Sequence, residues 1–351
     1  MPVTPNFVER LALFRLNRGP APVLDLLGAA TFESVSLALD LGLFETLSAA
    51  DGPHTAAELA RDLDAHPDGV ATLCDFLAAA RYLDATADGY RLTGMTESWL
   101  LPDAGTDMGP WFTFWNELVF PFWEAQLETA VREGEPGQTL YEWLDEQPGR
   151  WAVAQEGFRA TASLALDDVA GAVTVPAGAD RLLDVGGGHG LYAFELCRRT
   201  PGLSATVFDT PGAVEAARAD VPADVADHVR FQAGDYRSDG LGSGYDLALV
   251  FNVVHAHDPA ENVALLERVR MALAPGGRVA VLDQWEGSAR TPVGRAGLRF
   301  VALTYLTTLG ATVYPRDEVA GWLREAGFTD IDATSVGPLS GMGLLQARAA
   351  E

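Results

Sequence analysis

The stretch Leu182-Leu183-Asp184-Val185-Gly186-Gly187-Gly188-His189-Gly190 constrains this chain more than any other. It reads as an apolar strand, an acid and a glycine turn, and the run LYAFELCRR that follows has helical spacing. Gly186, Gly188 and Gly190 let the backbone turn tightly at the carboxyl end of a strand, so that a ligand can approach the main chain closely. Open α/β sheets bind ligands in that crevice. The turn alone does not name the ligand, since Gly188, Gly190 and Ala193 also fit the dinucleotide fingerprint G-x-G-x-x-A.

The rest of the chain narrows the choice. Pro176, Gly178 and Asp180 mark a boundary, beyond which strand-like and helical runs alternate. The strand-like runs are RLLDVGG, LSATVFD, VRFQAGD, YDLALVFNVVH and GRVAVLDQ, with a last pair near IDATSV and GMGLLQARA. Such alternation implies right-handed βαβ units, a parallel sheet and a Rossmann-like, doubly wound α/β fold. Asp184 precedes the glycines, Asp209 ends the second run, and Asp235 follows Gly234 at the end of the third. A pyrophosphate would be repelled by a carboxylate at Asp184, whereas an ammonium group would be favoured there. Asp209 is placed to accept hydrogen bonds from two ribose hydroxyls, and Asp235 to receive an adenine amino group. Any one of these acids could be a mere turn former. Three in register point to a single neutral-to-cationic nucleoside ligand.

Before the boundary the chain reads as helical. FESVSLALDLGLFETL places Phe32, Val35, Leu39, Leu43 and Leu47 on one stripe, wide enough to suggest a second copy of the chain as partner. Thr55 and Glu58 form a capping box, and Pro67 divides two further helices. YLDATADGYRLT then reads as a hairpin turning at Ala87-Asp88-Gly89, so the order is that of a winged helix. From Asp107 to about Val173 the pattern is aromatic and helical, with Trp111, Phe112, Phe114, Trp115, Phe120, Phe122 and Trp123 crowded together.

Charge excludes some partners. The 351 residues carry a net charge of -25 and no lysine, which disfavours nucleic acid. A high-GC genome would account for arginine in place of lysine, while a high-salt cytoplasm accounts for both facts and is preferred. No run approaches the roughly 20 apolar residues of a membrane helix. The first twenty residues carry Glu9, Arg10, Arg15 and Arg18 and lack a signal-peptide core, so a cytoplasmic protein is expected. Cys74 and Cys197 read as free thiols, and no metal site is expected.

The sequence resembles the plant-type small-molecule O-methyltransferases and their bacterial and archaeal relatives. LLDVGGGHG matches the family's cofactor loop, of pattern D/E-x-G-x-G-x-G. ALDLGLFETL, TAAELARDL and DGYRLTGMTESWLL resemble its winged-helix dimerisation domain, VVHAHDPAENVALLERVRMALAPGGRVAVLD the stretch holding its catalytic histidine, and WLREAGFTDI its closing helix. The resemblance implies a homodimer, S-adenosylmethionine (SAM) as methyl donor, S-adenosylhomocysteine as product, and a small hydroxylated acceptor, often aromatic. It implies a dimerisation domain over 1–105, a helical linker lining the acceptor pocket over 106–175, and a SAM-binding domain over 176–351. His255 falls on the position of the general base and Asp283 on that of the carboxylate orienting it, with His257 a weaker candidate. Cofactor contacts are expected from Asp184, Gly186, Gly188, Gly190, Asp209, Asp235, Tyr236 and Asn252. Pocket contacts are expected from Trp111, Phe114, Trp115, Phe122, Phe300 and Tyr305. Two departures stand out: no acid occurs near Val313, where the family's second supporting acid should fall, and Asn252 stands where plant members carry lysine. Methylation of nitrogen or carbon, or other chemistry with SAM, is the enzymatic alternative. A winged-helix regulator is the non-enzymatic one, against which the acidic charge argues.

Overall fold

The first of two units, Met1–Glu117, is built by local signals acting in chain order. The computed structural model describes residues 5–103, 105–147, 149–336 and 341–350. After α1 (Phe7–Arg10) come α2 (Val23–Asp40) and α3 (Leu43–Ser48), separated at Leu41-Gly42. α4 (Ala56–Asp62) starts at the expected capping box: Thr55 Oγ1 accepts from Glu58 N, and Glu58 Oε2 accepts from Thr55 N at 2.9 Å. α5 (Pro67–Ala79) begins on Pro67, with the His66 ring accepting from Asp68 N. β1 (Leu83–Thr86) and β2 (Gly89–Leu92) pair antiparallel, and α6 (Gly94–Trp99) and α7 (Gly109–Phe114) complete the unit. The stripe expected to face a second copy turns inward instead. Val35, Leu43 and Leu47 are buried with Phe44, Leu59, Cys74 and Leu77, and Phe32 stacks on Phe112 at 5.0 Å. The large apolar side chains that α2 leaves exposed are Val23, Leu26 and Leu37.

The second unit, Leu118–Glu351, opens with α8 (Phe120–Glu133), α9 (Leu140–Asp145), α10 (Arg150–Ser163) and α11 (Leu166–Ala172). Strands and helices then alternate as β3 (Arg181–Val185), α12 (Leu191–Arg199), β4 (Ser204–Asp209), α13 (Pro211–Arg218), β5 (Val229–Ala233) and β6 (Tyr245–Phe251). They continue as α14 (Pro259–Ala272), β7 (Leu273–Gln284), α15 (Pro292–Leu309), α16 (Arg316–Glu325), β8 (Phe328–Ser335) and β9 (Met342–Ala349). All seven strand-like runs of the sequence are strands of one sheet, in the order β5-β4-β3-β6-β7-β9-β8.

The all-parallel expectation needs one correction. β9 runs antiparallel to both its neighbours, so the sheet is mixed. The reason lies in the connection. A parallel return needs a crossover of about a dozen residues or more, and too few separate Ser335 from Met342. The four inner parallel strands, β4, β3, β6 and β7, are covered on both faces, which explains their apolar character. Leu183, Val185, Phe208, Val250 and Val281 pack on one face, and Leu182, Val207, Leu249, Ala280 and Leu282 on the other. Register then aligns the carboxyl ends: Asp184 lies between Val207 and Leu249, and Asp209 pairs with Ala233. Among the described residues no helix is long and apolar enough to cross a membrane. Cys74 and Cys197 are both free thiols.

Candidate active site

At the carboxyl end of β3 the backbone folds into a cradle. Gly186, Gly188 and Gly190 have φ of 67°, 48° and 73°, a region that side chains avoid. Even Gly187 has no room: a Cβ there would sit 2.5 Å from Asp184 Cγ and 2.8 Å from Val207 Cγ1. Asp209 braces the loop, with Oδ2 accepting from Gly188 N at 2.8 Å and Oδ1 from Thr210 N at 2.7 Å. Burial raises the Asp209 pKa, and those two amide hydrogen bonds oppose the rise. Asp184 is 2 % exposed, and burial, with the nearby Asp209 charge, pushes its carboxyl up to about 7. A buried acid in this state favours a cationic ligand, which would return it to the ionised form. The cradle thus fits a ligand with an ammonium group near Asp184 and hydroxyls near Asp209.

The third acid is differently engaged. Asp235 is held by Arg237 through Nε and Nη2, each at 3.0 Å, and this pairing lowers its pKa. The carboxylate expected to meet an adenine amino group therefore already has a cationic partner. Tyr236 lies beside Gly186 and its hydroxyl is 2.8 Å from His257 Nε2. Asn252 has φ 54° and donates its backbone N–H to Leu282 O.

A second cluster occupies the ends of β6 and β7. His255 lies in the short turn Val254–Ala256, 5 % exposed, and Asp283 near the end of β7 is 1 % exposed. His255 Nδ1 is 3.0 and 3.1 Å from the two Asp283 oxygens, which also accept from His255 N and Gln284 N. A carboxylate can only accept, so in the neutral ring Nδ1 carries the proton and Nε2 the lone pair. The Tyr305 ring lies flat on the imidazole, centroids 3.7 Å apart and planes 7° apart, and its hydroxyl donates to Gln284 Oε1 at 2.5 Å. Burial, then the Asp283 charge, drives the Tyr305 pKa well above its ordinary value, so the phenol is neutral. Val313 is buried against Ala289 and Leu298, with Tyr305 packed on the same cluster, and brings no acid. Glu318 sits in the first turn of α16, exposed. His257 is tied elsewhere, to Tyr236 and, at 3.8 Å, to Glu261, and burial lowers its pKa. Asp258 caps α14, as its Asp-Pro sequence suggests.

The six aromatic residues expected to line a pocket divide. In the first unit Trp111 packs on Phe112 and Trp115, while Phe114 and Trp115 are buried. In the second, Phe122 is core, edge-on to Trp143, and the half-exposed Phe300 meets Trp123. Tyr305 is in contact with the His255 ring. A cavity of about 610 Å³ flanks the turn, lined by Ala256, His257, Leu303, Leu306, Thr312 and Tyr314 among others.

Two residues of the cradle were not among those expected from the sequence. Gln155 of α10 is 3 % exposed, lies over Gly188, and its Oε1 has no hydrogen-bond partner. His189 is buried, accepts from Leu191 N, and burial pushes its pKa down to about 3. Within the loop motif it could have been recognised as a cap of the following helix.

Comparison with known proteins gives concordant matches. A family model described as the O-methyltransferase domain matches residues 121–329, and one described as the O-methyltransferase dimerisation domain matches 25–102. The tetracenomycin polyketide synthesis 8-O-methyl transferase of Streptomyces glaucescens is 31% identical over 335 residues, 91% of this chain and 94% of that protein. The N,N-dimethyltransferase OxyT of Streptomyces rimosus is 30% identical, over 73% of this chain and 75% of its own. Human N-acetylserotonin methyltransferase, solved in complex with SAM, superposes with a TM-score of 0.83 at 23% identity, covering 100% of both chains.

Proposed function

The chain belongs to the O-methyltransferase family, and from that premise we propose that it transfers the methyl group of SAM to a hydroxyl of a small aromatic or polyketide-like metabolite, with His255 as general base. The observation that carries the reading is the buried His255–Asp283 pair at the carboxyl edge of the sheet that holds the glycine cradle. Bound SAM supplies an activated electrophile, so positioning and one base suffice for transfer. Asp184 takes the ammonium group, Gly186, Gly188 and Gly190 admit the ligand to the main chain, and Asp209 accepts from the ribose. Asp235, Tyr236 and Asn252 complete the contacts, with Asp235 reaching the adenine only alongside Arg237. His255 accepts the acceptor's proton at Nε2, and Asp283 stabilises the resulting imidazolium through Nδ1.

The acceptor class follows the polyketide named for the Streptomyces glaucescens relative. On α15, Phe300 and Tyr305 are the aromatic residues whose placement supports contact with it. The dimerisation-domain match and the exposed Val23, Leu26 and Leu37 support a homodimer formed through the first unit.

The test is turnover of SAM, followed as S-adenosylhomocysteine release, with a panel of polycyclic phenols and, in parallel, the matching arylamines. Methyl transfer to phenol oxygen supports the reading. Transfer to the amines alone would replace it with N-methylation, the second reading. Two observations favour that alternative: the missing acid at Val313 and the N,N-dimethyltransferase among the relatives.

A further inference from the structure

The resemblance places a second acid near Val313 to support the general base, and the chain has none there. The site it would occupy is apolar: Val313 is 6 % exposed and packs with Ala289, Leu298, Val301 and Tyr305. A carboxylate in that cluster would lack hydrogen-bond partners, at a cost that disfavours it. What the imidazole meets instead is an aromatic face. The Tyr305 ring lies 3.7 Å from that of His255 and within 7° of parallel. The tyrosine is fixed at its far end, where its hydroxyl donates to Gln284 Oε1. Gln284 follows Asp283, and its backbone N–H donates to Asp283 Oδ1. One short segment of β7 thus holds the imidazole edge through Asp283 and the stacking ring through Gln284.

We propose that Tyr305 is a positioning residue that takes over the work of the absent second acid. It fixes the plane of the His255 ring and stabilises the imidazolium formed during proton transfer. Asp283 governs rotation of the ring within its plane, and a flat neighbour governs tilt out of it. When the ring gains a proton, the Tyr305 face meets a cation, and a desolvated cation–π contact is favourable. Burial keeps the phenol neutral, so the ring supplies this without a second negative charge beside Asp283. The inference rests on the reading of His255 as general base.

The test compares Tyr305→Phe, which keeps the ring and loses the hydroxyl, with Tyr305→Met, which keeps bulk without a ring. Two readouts are taken on variants whose melting shows them folded. In proton NMR, the His255 ring signals, assigned by their disappearance in His255→Ala, lie upfield in the parent protein under the Tyr305 ring current. They stay upfield in Tyr305→Phe and move downfield in Tyr305→Met. In turnover with a phenol of the panel, kcat falls roughly fivefold to thirtyfold in Tyr305→Met, the range from an exposed to a desolvated cation–π contact, and is recovered to within about threefold in Tyr305→Phe. Calorimetric SAM affinity stays unchanged in both. Unmoved His255 signals in Tyr305→Met, or equal impairment of the two variants, would overturn the inference. If His255→Ala is inactive and Tyr305→Met fully active, this inference alone fails. If His255→Ala is as active as the parent, the base reading fails and takes this inference with it.

Discussion

The glycine cradle and the His255 cluster share the edge of one sheet but are built on opposite principles. The cradle is centred on one loop, 184–190, braced by Asp209, and it holds a buried acid: Asp184, whose pKa is raised by burial and by the Asp209 charge. The cluster draws His255, Asp283, Gln284 and Tyr305 from a turn, a strand and a helix, and its side chains already hold one another: Asp283 and Tyr305 fix the His255 ring, and Gln284 fixes Tyr305. The difference fits two tasks. A binding site gains affinity from groups that a ligand alone can satisfy. A base, the role proposed for His255, gains from being oriented before the acceptor arrives.

If this division holds, the two regions should fail separately. The largest effect is expected from His255→Ala, which should cut turnover roughly a hundredfold or more, the range for losing a positioned base. SAM affinity, by calorimetry, should be unchanged, and a large loss of affinity would break the division. Asp209→Ala should do the reverse, weakening SAM binding by about tenfold or more, because a charge-assisted acceptor is lost. Unchanged affinity would remove Asp209 from the cradle.

A smaller effect tests Asp184. Its pKa in the ligand-free fold, about 7, lies above the ordinary carboxylate value. Its contribution to stability is therefore fully present below about pH 4 and is lost as pH rises through about 7. A cationic ligand prefers the ionised acid, so binding should release a proton, and affinity should climb by at most about tenfold per pH unit up to about 7 before levelling. Calorimetry in buffers of different ionisation enthalpy measures that proton. Asp184→Asn should abolish the release, and a parent protein that releases none would show that Asp184 does not meet the cation. The smallest effect on either region is expected from Leu26→Asp, at a residue 70 % exposed on α2. Light scattering should show the parent at twice the chain mass and the variant shifted towards the monomer, with SAM affinity retained.

Much of the sheet could be read from the sequence because its signals are local. β3 and β4 are apolar runs closed by Gly186 and Asp209, and the Thr55–Glu58 box and Pro67 mark helix starts within a few residues of chain. The direction of β9 was not legible from strand content; it depends on the length of the link from Ser335 to Met342. The Phe32–Leu47 stripe has the same periodicity whether it faces a second copy or its own core, and its partner Phe112 lies some eighty residues from Phe32. At the site, Asp184 and Asp209 could be placed by strand-end register. The grip of Arg237 on Asp235, only two residues away, was open to notice. The Tyr305 stack on His255 and the placement of Gln155 over Gly188 were not legible, since periodicity does not specify which helix face meets which loop.

The reversed strand also sets a timetable. β9 is inserted between β7 and β8, although both precede it in the chain. As the protein emerges from the ribosome, the outer edge of β7 has no strand beside it, and β8 has no place in the sheet, until β9 has been made. Asp283 lies on that edge, opposite Gly343. An open strand edge is a template for mispairing. Asp283, paired with His255, thus lies on an edge that stays open to mispairing until β9 is in place.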